Sequence, residues 1–237
     1  MTAVAAEEIA RRRGEILEAI AKSAARAGRR PDEVALMAAT KTQDGETVVR
    51  AAYAGIVRFG ENRVQEAAGK IAALRERFPG LEWRLIGPLQ ANKARTALQW
   101  FRVVETLDRE RLAARLEILL SETGETLPVL LEINVGREES KSGVLPEDAE
   151  RLCAAALSCA HLEVRGVMAV PPYDPDPEKS RLFFRQLRSI RDALAERFLR
   201  PLPELSMGMS HDFAVAVEEG ATEVRIGTAL FGPRERP

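Results

Sequence analysis

Eight short apolar or β-branched runs, separated by longer segments with helical spacing, constrain this chain more than any other feature. The runs are Ala35 to Thr40, Ile56 to Gly60, Trp83 to Gly87, Val103 to Leu107, Pro128 to Val135, Val164 to Val170, Leu205 to Met209 and Val224 to Gly227. Strands that alternate with helices pair in parallel, because each helix carries the chain back to the starting edge of the sheet. The helical segments begin near Thr47, Arg63, Asn92, Asp108, Pro146, Pro177 and Ser210, each with polar or capping residues ahead of an apolar stripe. Another helix, from about Ala6 to Ala27, precedes the first strand, and no room for one is expected after the eighth. A closed ring needs a helix over its last junction, and the N-terminal helix can supply it. The pattern predicts one α/β domain over residues 1–237, a single (β/α)8 TIM barrel, with an open doubly wound sheet as the alternative. No linker, repeat or low-complexity tract divides it. Pro171 to Pro177 is expected to form a rigid, extended loop.

Composition narrows the partners. With 36 acidic residues against 35 Lys plus Arg, the formal charge is −1, so a nucleic-acid-gripping role is not expected. No apolar run approaches the roughly 20 residues of a membrane span. The stretch from Met1 to Ile16 mixes Glu and Arg and lacks the apolar centre of a secretory signal. A soluble, cytoplasmic protein is the expectation. Cys153 and Cys159 fall in one predicted helix, where they suggest packing rather than a disulfide or a metal site.

In a barrel, chemistry collects where strands end. Lys41 follows the small, apolar run Ala35 to Thr40, which sets a primary amine at the barrel mouth. Partial desolvation there favours the neutral amine, which can attack an aldehyde. The chain has only six lysines; Lys22, Lys70 and Lys179 fall in predicted helices, and Lys93 and Lys141 in later loops read as solvated. At the far end, Ser206-Met207-Gly208-Met209-Ser210 leads into a helix starting His211-Asp212, and Val224-Arg225-Ile226-Gly227-Thr228 ends the eighth strand. Barrels often bind phosphate between these two loops. Ser210 can cap the helix and donate to phosphate, Gly227 permits close backbone approach, and Thr228 adds a hydroxyl and an N–H. Arg225, two residues before Gly227, shares its strand face and would point at the ligand. An amine opposite a phosphate cradle suits a phosphorylated aldehyde. The plainer alternative makes Ser210 an N-cap and Gly227 a turn. Ser210, His211 and Asp212 are consecutive and cannot converge as a hydrolytic triad.

Several motifs in order carry a resemblance over nearly the whole chain. They are Ala38-Ala39-Thr40-Lys41, Phe59-Gly60-Glu61-Asn62 with Val64-Gln65-Glu66, Ile86-Gly87-Pro88-Leu89-Gln90-Ala91-Asn92-Lys93, Lys141-Ser142-Gly143, Arg165 to Val170, Ser206 to Ser210 and Val224 to Gly232. In these the chain resembles the YggS/PROSC family of pyridoxal 5′-phosphate (PLP) homeostasis proteins. The resemblance implies a barrel similar to the N-terminal domain of alanine racemase, with PLP as cofactor. It implies a Schiff base to Lys41, phosphate ligands in Ser210, Gly227 and Thr228, and Arg225 at the pyridine nitrogen. Asn62 and Met168 would line the ring pocket, and Ser206 would support the phosphate loop. Pro88 and Arg84 stand where many relatives carry His. The implied role is intracellular PLP buffering and supply to apo-enzymes, by a monomer with no established catalytic residue. The alternatives are a weak PLP-dependent amino-acid racemase and an adaptor with PLP as a ligand signal. A racemase needs a second base, and neither Tyr53, in a predicted helix, nor Tyr173, in the Pro-rich loop, is placed for it. The chain also ends at Pro237, where a racemase would continue into a second domain.

Overall fold

The computed structural model describes residues 5–233; the outermost residues of the expected domain, 1–4 and 234–237, lie outside them. Eight parallel strands close into a barrel: β1 (Ala35–Ala39), β2 (Arg58–Glu61), β3 (Glu82–Leu85), β4 (Val103–Leu107), β5 (Leu127–Glu132), β6 (Leu162–Met168), β7 (Glu204–Met209) and β8 (Glu223–Ile226). Ala35 to Ala38 of β1 pair with Glu223 to Ile226 of β8 and complete the ring. The helices are α1 (Ala6–Arg26), α2 (Gly45–Tyr53), α3 (Val64–Leu74), α4 (Ala94–Trp100), α5 (Glu110–Ser121), α6 (Ala149–Leu157), α7 (Arg181–Phe198), α8 (Phe213–Glu218) and α9 (Thr228–Phe231).

The N-terminal helix does what ring closure requires. Ile9, Ile16, Ile20 and Ala24 recur on one face of α1 and are buried, and α1 packs against α2, α8 and α9. Just beyond it, Arg29 Nη1 donates to the Val217 carbonyl at 2.9 Å, which ties the chain to the end of α8. Space after β8 was expected to hold no helix; one helical turn, α9, forms there. Cys153 lies in α6 but Cys159 lies past its end, so the two do not share a helix; both are free thiols.

Two strands show how the ring sorts its residues. In Glu82-Trp83-Arg84-Leu85 and Glu223-Val224-Arg225-Ile226, the apolar members join the outer core beneath the helices and the charged members face the barrel interior. Phe59 and Trp83, paired across β2 and β3, stack with centroids 5.1 Å apart, worth about 0.5–1.5 kcal/mol beyond their burial. Gly166 of β6 is required by close approach: a Cβ there would stand 1.7 Å from the Glu204 carbonyl oxygen of β7.

Candidate functional site

A cavity of about 410 Å³ opens at the carboxyl ends of the strands, in the size range of small-molecule sites. A broader depression of about 680 Å³ lies at the opposite end, but its Arg58, Glu82, Arg84, Glu204 and Glu223 are paired with one another. The mouth at the carboxyl ends is where a barrel's loops can present reactive groups.

Lys41 follows β1 and stands half-buried in the cavity wall. The residue before it is clamped from behind. Thr40 is fully buried, and its Oγ1 donates to Glu61 Oε1 at 2.8 Å. Lys70 Nζ donates to the same carboxylate oxygen at 2.8 Å and to the Thr40 carbonyl at 2.9 Å. Lys70 belongs to α3, as its helical spacing predicts, but reaches back into the core, where a buried ion pair fixes the backbone that leads to Lys41.

Across the mouth, the β7 and β8 loops are joined by Ser210. The expected cap on the helix after β7 does not form: residues 209–212 make a tight turn, with Met209 N–H donating to Asp212 Oδ1 at 2.7 Å, and α8 starts only at Phe213. Ser210 Oγ instead accepts from the N–H groups of Gly227 and Ala229, each at 3.1 Å. A Cβ at Gly227 would meet only Ala39, no closer than 3.5 Å, and its φ of −112° is open to any residue. Packing within the chain does not demand glycine there, and the bare backbone faces the cavity. His211 sits on the cavity rim, with its Nε2 2.9 Å from the Asp174 carbonyl oxygen and its ring packed on Tyr173.

Arg225 enters from β8 and is held on two sides. Nη2 donates to the Ala169 carbonyl at 2.7 Å and Nη1 to Ser206 Oγ at 2.6 Å. Ser206 in turn donates to Glu105 Oε2 at 2.7 Å, and Glu105 pairs with Arg84 at 3.2 Å. Burial pushes both Glu105 and Glu223 upward. Glu105 is nonetheless held below the ordinary carboxylate range by its hydrogen bond with Glu223 and by Arg84 and Arg225. Glu223, beside that charge, is raised well above it. The two buried carboxyls, in contact with each other and with the arginines beside them, thus shift in opposite directions.

Lys41, Asn62, Ser210, Arg225, Gly227 and Thr228 thus line one cavity. Two expected residues do not. Met168 is fully buried at the end of β6 and does not line the cavity; Ile86, Val170 and Met209 supply apolar lining. Ser206, expected beneath the phosphate loop, is fully buried outside the cavity lining, with its hydroxyl engaged between Arg225 and Glu105. Lys141, expected in a solvated loop, lies on the cavity rim, donates to the Pro171 carbonyl at 3.0 Å and pairs with Glu138.

Sequence reasoning passed over Glu132. It ends β5, lines the cavity, and is only 9% exposed, with Oε2 free of any hydrogen bond among the described residues. Burial, with Asp108 nearby, raises its carboxyl to about 7 against the pull of Arg225 and Arg109. The signal was the one that exposed Lys41, a charged residue closing an apolar strand, here Leu130-Leu131-Glu132.

Known proteins share this barrel. The family described as alanine racemase, N-terminal domain, matches residues 16–235. A pyridoxal phosphate homeostasis protein of Aquifex aeolicus is 44% identical over 93% of this chain and 96% of its own length. Its Escherichia coli K12 counterpart is 39% identical over 96% and 97%. PipY of Synechococcus elongatus PCC7942, solved with PLP bound, superimposes with a TM-score of 0.79 at 35% identity, covering 90% of this chain and all of PipY. Among the described residues no helix is long and apolar enough to cross a membrane. With this identity sustained along nearly its full length, the chain belongs to the pyridoxal phosphate homeostasis protein family, built on the barrel of the alanine racemase N-terminal domain.

Proposed function

We propose that this protein binds PLP through the amine of Lys41 and serves to hold and supply it. The observation that carries this reading is a single cavity that brings Lys41 together with the Ser210–Gly227 cradle and a doubly anchored Arg225. Each part of the cofactor has a chemical counterpart there. Lys41 offers a primary amine to the aldehyde. Ser210 offers its hydroxyl proton to the phosphate and Thr228 a hydroxyl and a backbone N–H, while Gly227, whose own N–H donates to Ser210 Oγ, leaves room for it. Asn62, Ile86 and Met209 offer walls to the ring. The names of the relatives and the PLP in PipY support the same cofactor.

When bound, PLP supplies an aldehyde that condenses reversibly with primary amines and a pyridine ring that withdraws electrons once its nitrogen is protonated. Arg225 opposes that protonation, because a guanidinium stays charged and repels a second cation. Its two short hydrogen bonds keep it from swinging aside. This barrel therefore favours keeping PLP over strong carbanion chemistry, and delivery to apo-enzymes that depend on PLP follows as its use. Weak racemisation is the competing reading.

Purified protein incubated with PLP is expected to gain visible absorbance that Lys41→Ala loses. Mixed with an apo-enzyme, the loaded protein should activate it, while D- and L-amino acids in deuterated water show no α-proton exchange. A wild-type chain that takes up no PLP overturns the proposal, and sustained exchange turns it into the racemase.

A further inference from the structure

The cavity holds a carboxyl group with no part in binding the aldehyde, the phosphate or the ring nitrogen. Glu132 ends β5, the strand diametrically across an eight-stranded ring from β1 and Lys41. Both side chains line the same cavity, and Glu132 Oε2 is buried without a hydrogen-bond partner among the described residues. A buried carboxyl oxygen left open to a cavity lacks a donor.

We propose that Glu132 is the proton acceptor for a primary amine entering this cavity, the step that readies an amine to exchange with that of Lys41. The proposal rests on the PLP reading, because an aldehyde held on one amine can pass directly to a second amine that attacks the same carbon. Free amines arrive at neutral pH as ammonium ions, which have no lone pair to attack with. In the step, R–NH3+ transfers one proton to Glu132 Oε2, leaving R–NH2 and a neutral carboxylic acid. No electron changes hands, and the carboxylic acid afterwards returns the proton to the solvent in the cavity.

Other basic or polar groups on the rim are committed elsewhere. His211 faces the Asp174 carbonyl, Lys141 donates to the Pro171 carbonyl, and the Asn134 amide is bonded to the Glu138 backbone through both its oxygen and its nitrogen. The charged groups around Glu132 come from every side: Asp108 and Arg109 after β4, Arg225 from β8, and Lys41, Lys141 and His211 on the rim. Their balance with burial leaves Glu132 near 7, so both its acid and its base forms exist at neutral pH, the condition for an efficient proton carrier.

The test has two arms. In the PLP-free wild-type chain, the 13C-carboxyl resonance of Glu132 is followed from pH 5 to 9 with and without ethylamine. It should titrate near neutrality and move to lower pH when the ammonium ion is present. An ordinary carboxylate titration, or one indifferent to the amine, overturns the proposal. In PLP-loaded protein, displacement of PLP by ethylamine is timed by absorbance. Glu132→Gln should slow it about a hundredfold at pH 7 and hardly at all at pH 10.5, where a large share of the amine arrives without its extra proton. Equal rates at pH 7, or equal slowing at both pH values, also overturns it. A wild-type chain that never takes up PLP fails the binding proposal instead, and the carboxyl titration still decides this one.

Discussion

Glu132 also sets a measurable stability cost that needs no cofactor. Raising a carboxyl from its ordinary 4.5 to about 7 means that, between those two values, the folded chain holds a proton the unfolded chain has released. Stability is free of this cost below pH 4.5, is lost as pH rises toward 7, and carries the full penalty above it. At 1.36 kcal/mol per tenfold change in proton affinity, the penalty at pH 8 is about 3 kcal/mol. Glu132→Gln keeps the shape and removes the charge. Its stability relative to wild type should therefore rise by about 3 kcal/mol between pH 4.5 and pH 8. For a chain of this length that corresponds to a gain of roughly 6–12 °C in melting temperature. Urea unfolding of the two PLP-free proteins at several pH values gives the difference directly, and ionisations common to both cancel. A difference that stays flat within 1 kcal/mol across this range would show that Glu132 is as well solvated as a surface carboxylate, and would falsify the electrostatic reasoning.

Two further perturbations test the interior. Ser206→Ala removes the hydroxyl that joins Arg225 to Glu105 and leaves charged groups with a lost partner, so unfolding in urea should show a loss of about 2 kcal/mol; a neutral result would mean that water replaces the hydroxyl. Gly166→Ala forces a Cβ to within 1.7 Å of the Glu204 carbonyl, which only separation of β6 and β7 can relieve. A loss of at least about 3 kcal/mol, seen as a lower melting temperature or poor soluble yield, is expected, and wild-type stability would mean that the strands part freely.

The barrel was legible because alternation survives without knowledge of partners, and β4 runs over the expected residues from Val103 to Leu107. Misplaced ends have local causes. The β2 run was expected from Ile56, but the Ile56 N–H donates to the Ala51 carbonyl just after Gly55, at a φ of +84°. Ile56 therefore closes α2 through a left-handed glycine, and β2 starts at Arg58. The β5 run was expected to reach Val135. Ile133 and Val135 are buried, but the chain leaves the ladder between them: Asn134 N–H donates to the Val144 carbonyl, and the Asn134 side chain binds the Glu138 backbone. An apolar run reports burial, and burial past the end of a ladder looks the same in sequence as burial in one.

The site was legible only where one residue suffices. Lys41 is announced by its own strand, and Gly227 by the missing side chain. Ser210 was placed at the right mouth but given the wrong partner, because a hydroxyl next to a helix start cannot reveal that its acceptor role lies 17 residues away on another loop. Arg84, Glu105 and Glu223 were harder. Each occupies an alternate position in a short strand, the pattern of a solvent-facing side chain, and only ring closure turns that face inward, where each charge must find its complement on a different strand. Such pairing is a property of strand order, and no window of sequence contains it. The same closure puts Glu132 across from Lys41, so the group proposed to receive the proton became visible as a partner only once the eighth strand had met the first.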